Sequence, residues 1–367
     1  MPAVSSPSFE GDFPPFRPHP LLRSGHAQTL AANYLHGAPK TRTAEAVHHV
    51  QLEDGDHVVL HDDRPASWRP GAPAALLLHG LAGSHRSAYL VRAARKLNDR
   101  NVRTFRMDYR TCGAGLELAT RPYHAGLSND AAASLWFIAK ECLDSPIGLV
   151  GYSMGGNVAL KTLGEHPHTL PDTLTRAAVV NPAIDLAVCC NYLTGPIQRL
   201  YDRHFARALT QHVSQHASFT EFHRELRMLP VRTIRDFDER FTVPHWGFGT
   251  VEEYYRAASA AQFVKQITVP TLMLHSRDDP LVPMQPFDTL DRSDAVTLHV
   301  SEHGGHLGFI GVGGVDPDRR WMDWRIVDWL TGRVGPVHVP ASSPGRSWRM
   351  TIPGCTPSRE PSPAGVE

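Results

Sequence analysis

A chain of 367 residues with 41% apolar residues is long enough for one large domain or two ordinary ones, and it can bury a sizeable core. Lys plus Arg and Asp plus Glu both total 37, which leaves no global field to gather nucleic acid or an anionic membrane; a small, locally recognised partner is expected instead. The five cysteines are scattered, lack CxxC spacing for zinc, and read as free thiols in a reducing compartment.

Taken in chain order, the N-terminus MPAVSSPSFEGDFPPFRPHP is proline-rich and has no basic start followed by an apolar block, so it does not read as a signal peptide. No later run is long and apolar enough for a transmembrane helix. A cytoplasmic protein without stable membrane insertion is expected. Residues 1–45 form an N-terminal extension. Ala46 to Asp62 alternate apolar and polar positions around Asp54-Gly55, the pattern of a β-hairpin. Strand and helix patterns then alternate: strand Ala74 to Leu78, helix Ser87 to Asn98, strand Arg103 to Met107, helix Ser128 to Leu143, strand Ile147 to Val150, helix Asn157 to Glu165, strand Ala177 to Val180. Short, fully apolar strands between helices predict an α/β fold, a mostly parallel sheet covered on both faces. The pattern stops over 191–250, a His- and Arg-rich helical stretch expected to form a cap on the core halves 46–190 and 251–331. Strands at Thr268 to His275 and Val296 to Val300 follow, then a helix over Arg319 to Leu330 with Trp321, Trp324, Val327 and Leu330 on one face. Residues 332–367 are rich in Pro, Ser and Gly and are expected to be a disordered tail.

Within this frame, Gly151-Tyr152-Ser153-Met154-Gly155 places a serine, with glycine two positions away on each side, between a strand and a helix. G-x-S-x-G recurs by chance, so its context is what matters. A strand-to-helix turn this tight holds its central residue in strained dihedrals and leaves room only for glycine at the flanking positions. It would lift the Ser153 hydroxyl clear of the carboxyl end of the sheet.

A serine hydroxyl becomes nucleophilic when a base takes its proton, and the base needs an orienting acid. On such a scaffold the acid and then the histidine follow the serine along the chain. Asp278 and Asp279 stand after the strand ending TLMLH, and His303 and His306 after VTLHVS. The turn that begins at Asp279, before Pro280-Leu281-Val282-Pro283, favours Asp279. The two glycines before His306 favour that histidine, because they let its loop come close. Acyl transfer also needs donors for the oxyanion. The backbone N–H of Met154, directly after the serine, and that of Leu81 in His79-Gly80-Leu81-Ala82-Gly83 are the candidates.

These residues resemble the α/β-hydrolases, and more narrowly the AB hydrolase 4 (YheT-like) esterases. The likeness is carried by SGHAQTL (Ser24 to Leu30), LHGLAGSHRSAY (Leu78 to Tyr89), RPYHAGLSND (Arg121 to Asp130), GYSMGGN (Gly151 to Asn157), RDFDERFTVPHWGF (Arg235 to Phe248) and GGHLGFI (Gly304 to Ile310). The resemblance implies a Ser153/Asp279/His306 hydrolase that cleaves short- to medium-chain carboxylic esters and needs no cofactor. An acyltransferase that passes the acyl group to an alcohol, or a non-catalytic interaction protein on the same scaffold, are the alternatives. His204, His212, His216 and His223 have no HExxH arrangement or third ligand, and read as solvated helix faces rather than a metal site. The aromatics Phe237, Phe241, Trp246, Phe248, Tyr254 and Tyr255 either pack the cap on the core or line an acyl pocket. His26 and Asp130 lie inside the family-like motifs, where a structural hydrogen bond is as plausible as a substrate contact.

Overall fold

The computed structural model describes residues 13–35 and 44–333. The expected tail, beyond Gly332 and Arg333, and the first twelve residues of the N-terminal extension lie outside the described residues. The alternating segment at 46–62 forms the antiparallel pair β1 (Ala46–Gln51) and β2 (His57–Asp63), with Gly55 at positive φ in the turn. The apolar runs become β3 (Ala74–Leu78), β4 (Arg103–Asp108), β5 (Ile147–Tyr152), β6 (Leu174–Val180), β7 (Thr271–Ser276) and β8 (Val296–Ser301). All eight join one sheet in the order β1-β2-β4-β3-β5-β6-β7-β8, parallel from β4 onward.

Ten residues before β1, which the sequence patterns left unassigned, form helix α1 (Gly25–Tyr34), capped by the Ser24 hydroxyl, which accepts the Ala27 amide. The core helices are α2 (Ala88–Asn98), α3 (Ser128–Glu141) and α4 (Met154–Glu165). α4 starts directly after Ser153, three residues earlier than its apolar periodicity suggests. Between β6 and β7 the chain forms α5 (Leu186–Tyr192), α6 (Arg199–Ser214), α7 (Thr220–Met228), α8 (Ile234–Phe237), α9 (Val243–Trp246) and α10 (Val251–Ala258), with a π-helical turn over Asp238–Thr242. The short α11 (Gln285–Asp288) and the closing α12 (Trp321–Leu330) complete the chain.

The two-residue period of a strand decides which face each side chain serves. Leu76 and Leu78 of β3 point into the apolar cluster that includes α3, α4 and the helical insert, whereas Ala75 and Leu77 join α2 and α12 on the other face. Both faces being covered is why β3 and β5 are buried at every position. The order also fixes where a site forms. After β3 the chain steps to β4 on one side, and then to β5 on the other. In open sheets of this kind the crevice at the carboxyl ends of strands where the direction reverses is the place for a ligand. The loops after β3 and β5 open there, and they carry HGLAG and Ser153.

Candidate active site

Ser153 sits at φ 54° and ψ −119°, a conformation an L-residue holds only under duress. Its neighbours show what imposes it. A Cβ on Gly155 would lie 2.4 Å from the His79 carbonyl oxygen and 2.6 Å from that of Leu78, and one on Gly151 would lie 2.4 Å from the Gly155 oxygen. The glycines are therefore required by backbone packed against the turn. The Ser153 amide remains tied to the sheet through the Val180 carbonyl at 2.9 Å.

Of the sequence candidates, Ser153, His306 and Asp279 are brought together. The Ser153 hydroxyl donates to His306 Nε2 at 2.9 Å, and His306 Nδ1–H donates to Asp279 Oδ2 at 2.8 Å. Asp279 is buried, and its other oxygen accepts the amides of Leu281 (2.8 Å) and Val282 (3.0 Å). Burial alone would raise this carboxyl. The opposing charge and hydrogen bond of His306 outweigh it and hold the pKa below the ordinary carboxylate value. Asp278 and His303 are elsewhere: Asp278 Oδ1 accepts the Gly305 amide at 2.8 Å, and Oδ2 faces His303 at 3.4 Å on the exposed side of the loop.

The β3 loop is arranged so that one amide is left over. Gly80 N–H donates to the Tyr89 hydroxyl at 2.8 Å, and Ala82 N–H to the Tyr123 hydroxyl at 3.0 Å. Among the described residues neither Leu81 N–H, between them, nor Met154 N–H, in the first turn of α4, has an acceptor. Both residues line the cavity beside Ser153. Asp108, at the end of β4, anchors this loop by accepting the His85 amide (2.6 Å) and His85 Nδ1–H (2.6 Å), together with His61 Nε2–H (3.0 Å) and the Ala114 amide (2.9 Å). His61, His85 and Asp108 have the composition of a metal site. The geometry speaks for a hydrogen-bonded carboxylate: Oδ2 already takes three N–H donors, and the two imidazoles stack at 3.4 Å and 13°.

Residues the sequence patterns passed over position His306. Its amide donates to Thr29 Oγ1 of α1 at 2.8 Å, and Gln28, fully buried, bonds the Ile310 amide (2.8 Å) and carbonyl (3.1 Å). The glycines before His306 are held by packing: a Cβ on Gly305, at φ +57°, would fall 2.2 Å from the Gly25 carbonyl, and one on Gly304 would fall 2.6 Å from the Phe309 ring. The signal was present in SGHAQTL, but a short helix with almost no apolar periodicity gave no reason to place it here.

A cavity of about 100 Å³ opens on Ser153. It is lined by apolar side chains such as Leu186, Leu193, Phe205 and Leu209, with His124 and Asp238 as its titratable exceptions besides two cysteines and three tyrosines. Burial keeps His124 neutral, its pKa lowered to about 3, and burial raises Asp238 to about 7 even though the Thr242 and Tyr255 hydroxyls donate to it. Cys189 and Cys190 also line it, their thiols pushed up by burial, Cys190 to about 12, so neither is an activated nucleophile. Cys112, Cys142, Cys189 and Cys190 are all free. Of the six aromatics, Phe237, Tyr254 and Tyr255 line the cavity, whereas Phe241 packs on Phe219 and Phe222, Trp246 donates to the Pro122 carbonyl, and Phe248 packs on His124.

Three of the four insert histidines are not solvated as expected: His223 Nε2 is buried, while His212 donates to the Thr111 carbonyl and the buried His216 to that of Ala119 at 2.9 Å. His212 and His216 pin the insert to a core loop whose carbonyls would otherwise be buried unpaired. Asp130 forms a two-pronged ion pair with Arg110 (2.7 and 2.8 Å), and His26 bonds and stacks on Tyr201.

Comparison with known proteins shows the family. The family profile described as serine aminopeptidase, S33 (Hydrolase_4) matches residues 72–309. The protein named "Putative esterase YheT" of Escherichia coli (strain K12) is 31% identical over 77% of this chain and 83% of its own. The chain belongs to the YheT-like α/β-hydrolases. The human protein named phospholipase ABHD3 is 25% identical over 78% of this chain and 71% of its own. A solved 2,6-dihydroxy-pseudo-oxynicotine hydrolase, 20% identical with a TM-score of 0.54 over 84% of this chain and 74% of that one, shares the fold. This YheT-like chain is thus a hydrolase of a family whose members bear the names esterase and phospholipase. Among its described residues no helix is long and apolar enough to cross a membrane.

Proposed function

We propose that this protein hydrolyses carboxylic esters of small molecules through an acyl-enzyme intermediate. The observation that carries the reading is the unbroken line from the Ser153 hydroxyl through His306 to Asp279, beside two amides with no other acceptor among the described residues. As Ser153 attacks the carbonyl, His306 Nε2 takes its proton, and Asp279 holds the imidazole in the tautomer that can accept it and stabilises the imidazolium. The carbonyl oxygen becomes an oxyanion facing Leu81 N–H and Met154 N–H, each such donor being worth roughly 2.7 to 4 kcal/mol in the transition state. His306 returns the proton to the leaving alkoxide. Water, deprotonated by the same histidine, then releases the acid. No cofactor enters these steps.

The narrow, apolar cavity suits a short- to medium-chain acyl group, and the helices over 191–250 act as the cap that sets its length. With free thiols throughout the described core, a cytoplasmic setting is the natural one. The test is a panel of p-nitrophenyl esters from acetate to palmitate with wild type and Ser153→Ala, alongside labelling by a fluorophosphonate. Turnover that peaks at short or medium chains and vanishes with Ser153→Ala is expected. An unlabelled, inactive wild type would leave only a hydrolase scaffold without catalysis.

A further inference from the structure

Helix α6 has two working faces. Phe205 and Leu209 line the cavity beside Ser153, while Arg203, Arg207, Thr210 and Ser214, half a turn round the helix, line a separate groove of about 610 Å³. Leu226 of α7 and the connection to α8, including Arg232, close its other side. Among the described residues no carboxylate lines this groove. Among the described residues the guanidinium groups of Arg203, Arg207 and Arg232 have no ion pair, whereas Arg92, Arg103, Arg106 and Arg110 each grip one or more aspartates. The Thr210 hydroxyl is buried and has no partner among the described residues. Large apolar side chains stand exposed on the same side. Leu200, one turn before Arg203 on the same helical face, is 62% exposed, and Met228 and Leu229, beside the groove wall, are 86% and 63% exposed.

Unpaired arginines with exposed apolar side chains at their edge make the chemistry of a bilayer interface: guanidinium groups bind lipid phosphates, and the apolar residues enter the acyl boundary. A soluble phosphate would use the arginines and leave the three apolar side chains in water. We propose that the outer face of α6 and the α7–α8 connection dock peripherally on an anionic phospholipid surface. Because the whole chain has a formal net charge of zero, attraction to such a surface must come from a local patch, which this groove supplies. Docking there also sets the wall of the Ser153 cavity against the membrane. The proposal stands independently of the reaction at Ser153.

The test is sedimentation of the full chain with phosphatidylcholine vesicles, with or without phosphatidylglycerol. Binding only to the phosphatidylglycerol vesicles, weakening with salt, is expected. The triple variant Arg203→Gln/Arg207→Gln/Arg232→Gln should bind on the order of a hundredfold more weakly, from about a factor of five per arginine. Leu200→Ser/Met228→Ser/Leu229→Ser should weaken binding while keeping its salt dependence. Both variants should turn over a soluble short-chain p-nitrophenyl ester at the wild-type rate, showing that the fold is intact. Undiminished binding by the triple glutamine variant, equal binding to vesicles without phosphatidylglycerol, or no binding to either would overturn the proposal. Saturable binding of inorganic phosphate or a polyglutamate peptide, with none to vesicles, would reassign the groove to a soluble anion or an acidic protein, and so also overturn it.

Discussion

Replacing Asp279 by asparagine tests the proposed mechanism at its least obvious point. The side chain keeps its size, but its two ends are no longer equivalent. The Oδ1 position is held by two backbone donors, the Leu281 amide at 2.8 Å and the Val282 amide at 3.0 Å. An asparagine must place its carbonyl oxygen there, because an NH2 facing two N–H groups would leave three polar groups unsatisfied in a buried site. Its NH2 then takes the Oδ2 position, 2.8 Å from His306 Nδ1. There it can only donate, so Nδ1 becomes the acceptor and the ring proton moves to Nε2. The nitrogen facing Ser153 at 2.9 Å now carries a hydrogen and cannot accept the hydroxyl proton. Loss of the correct tautomer with geometry intact lowers kcat by about 10⁴ in a triad, roughly 5 kcal/mol of transition-state stabilisation. Steady-state rates on the best p-nitrophenyl ester, with circular dichroism to confirm folding, measure it. A well-folded Asp279→Asn enzyme within tenfold of wild type would refute Asp279 as the orienting acid.

Thr29→Val should remove the acceptor of the His306 amide and lower kcat about tenfold, with KM little changed and Thr29→Ser restoring the rate; an equal rate for Thr29→Val would leave α1 a purely structural element. Gly155→Ala puts a methyl group 2.4 Å from a backbone oxygen, so a loss of stability of about 2 kcal/mol or more is expected in urea unfolding together with loss of turnover. Stability should also fall in acid. Burial lowers the pKa of His79 and His275 to about 4 and of His124 to about 3, so between those values and 6.5 the unfolded chain binds more protons than the folded one. Their contribution is complete above pH 6.5 and is lost as pH falls. Asp238, raised to about 7, acts oppositely, its contribution being lost as pH rises from about 4 to 7, and burial raises Asp130, Asp202 and Asp316 in the same sense; burial also lowers His61, His212 and His299, so six imidazoles face four carboxyls. Urea titrations at pH 7 and 5 should show lower stability at pH 5, and His124→Gln should reduce the difference by up to about 1.4 kcal/mol per pH unit. Unchanged stability between the two pH values would mean that these histidines are not buried and neutral.

Most of the sheet could be read from sequence because strands buried on both faces are written as unbroken apolar runs: AALLL and IGLV needed no context. Ser153 was legible for a local reason, since the glycines that crowd it are in its own turn. His306 and Asp279 were legible because chain order constrains them. What stayed hidden depends on contacts between distant segments. α1 has only Gly25, Gln28 and Ala31 buried, which gives no apolar stripe, and its role rests on hydrogen bonds to residues about 280 positions away. Tyr89 and Tyr123 hold the Leu81 loop by single hydroxyls and Asp108 by its two carboxylate oxygens, and no periodicity encodes such contacts. His212 and His216 were misjudged for a related reason: a histidine on a helix looks the same in sequence whether it meets water or a carbonyl.

The grip of α1 on the His306 loop has a consequence for how the protein comes into being. A nascent chain that has emerged as far as α4 can already bend at Ser153, yet the base lies about 150 residues further on and is seated by a helix made near the beginning. On the proposed mechanism, reactivity at the serine becomes available only once α1 and the His306 loop have met, so turnover regained during refolding would time that late closure and not the formation of the sheet.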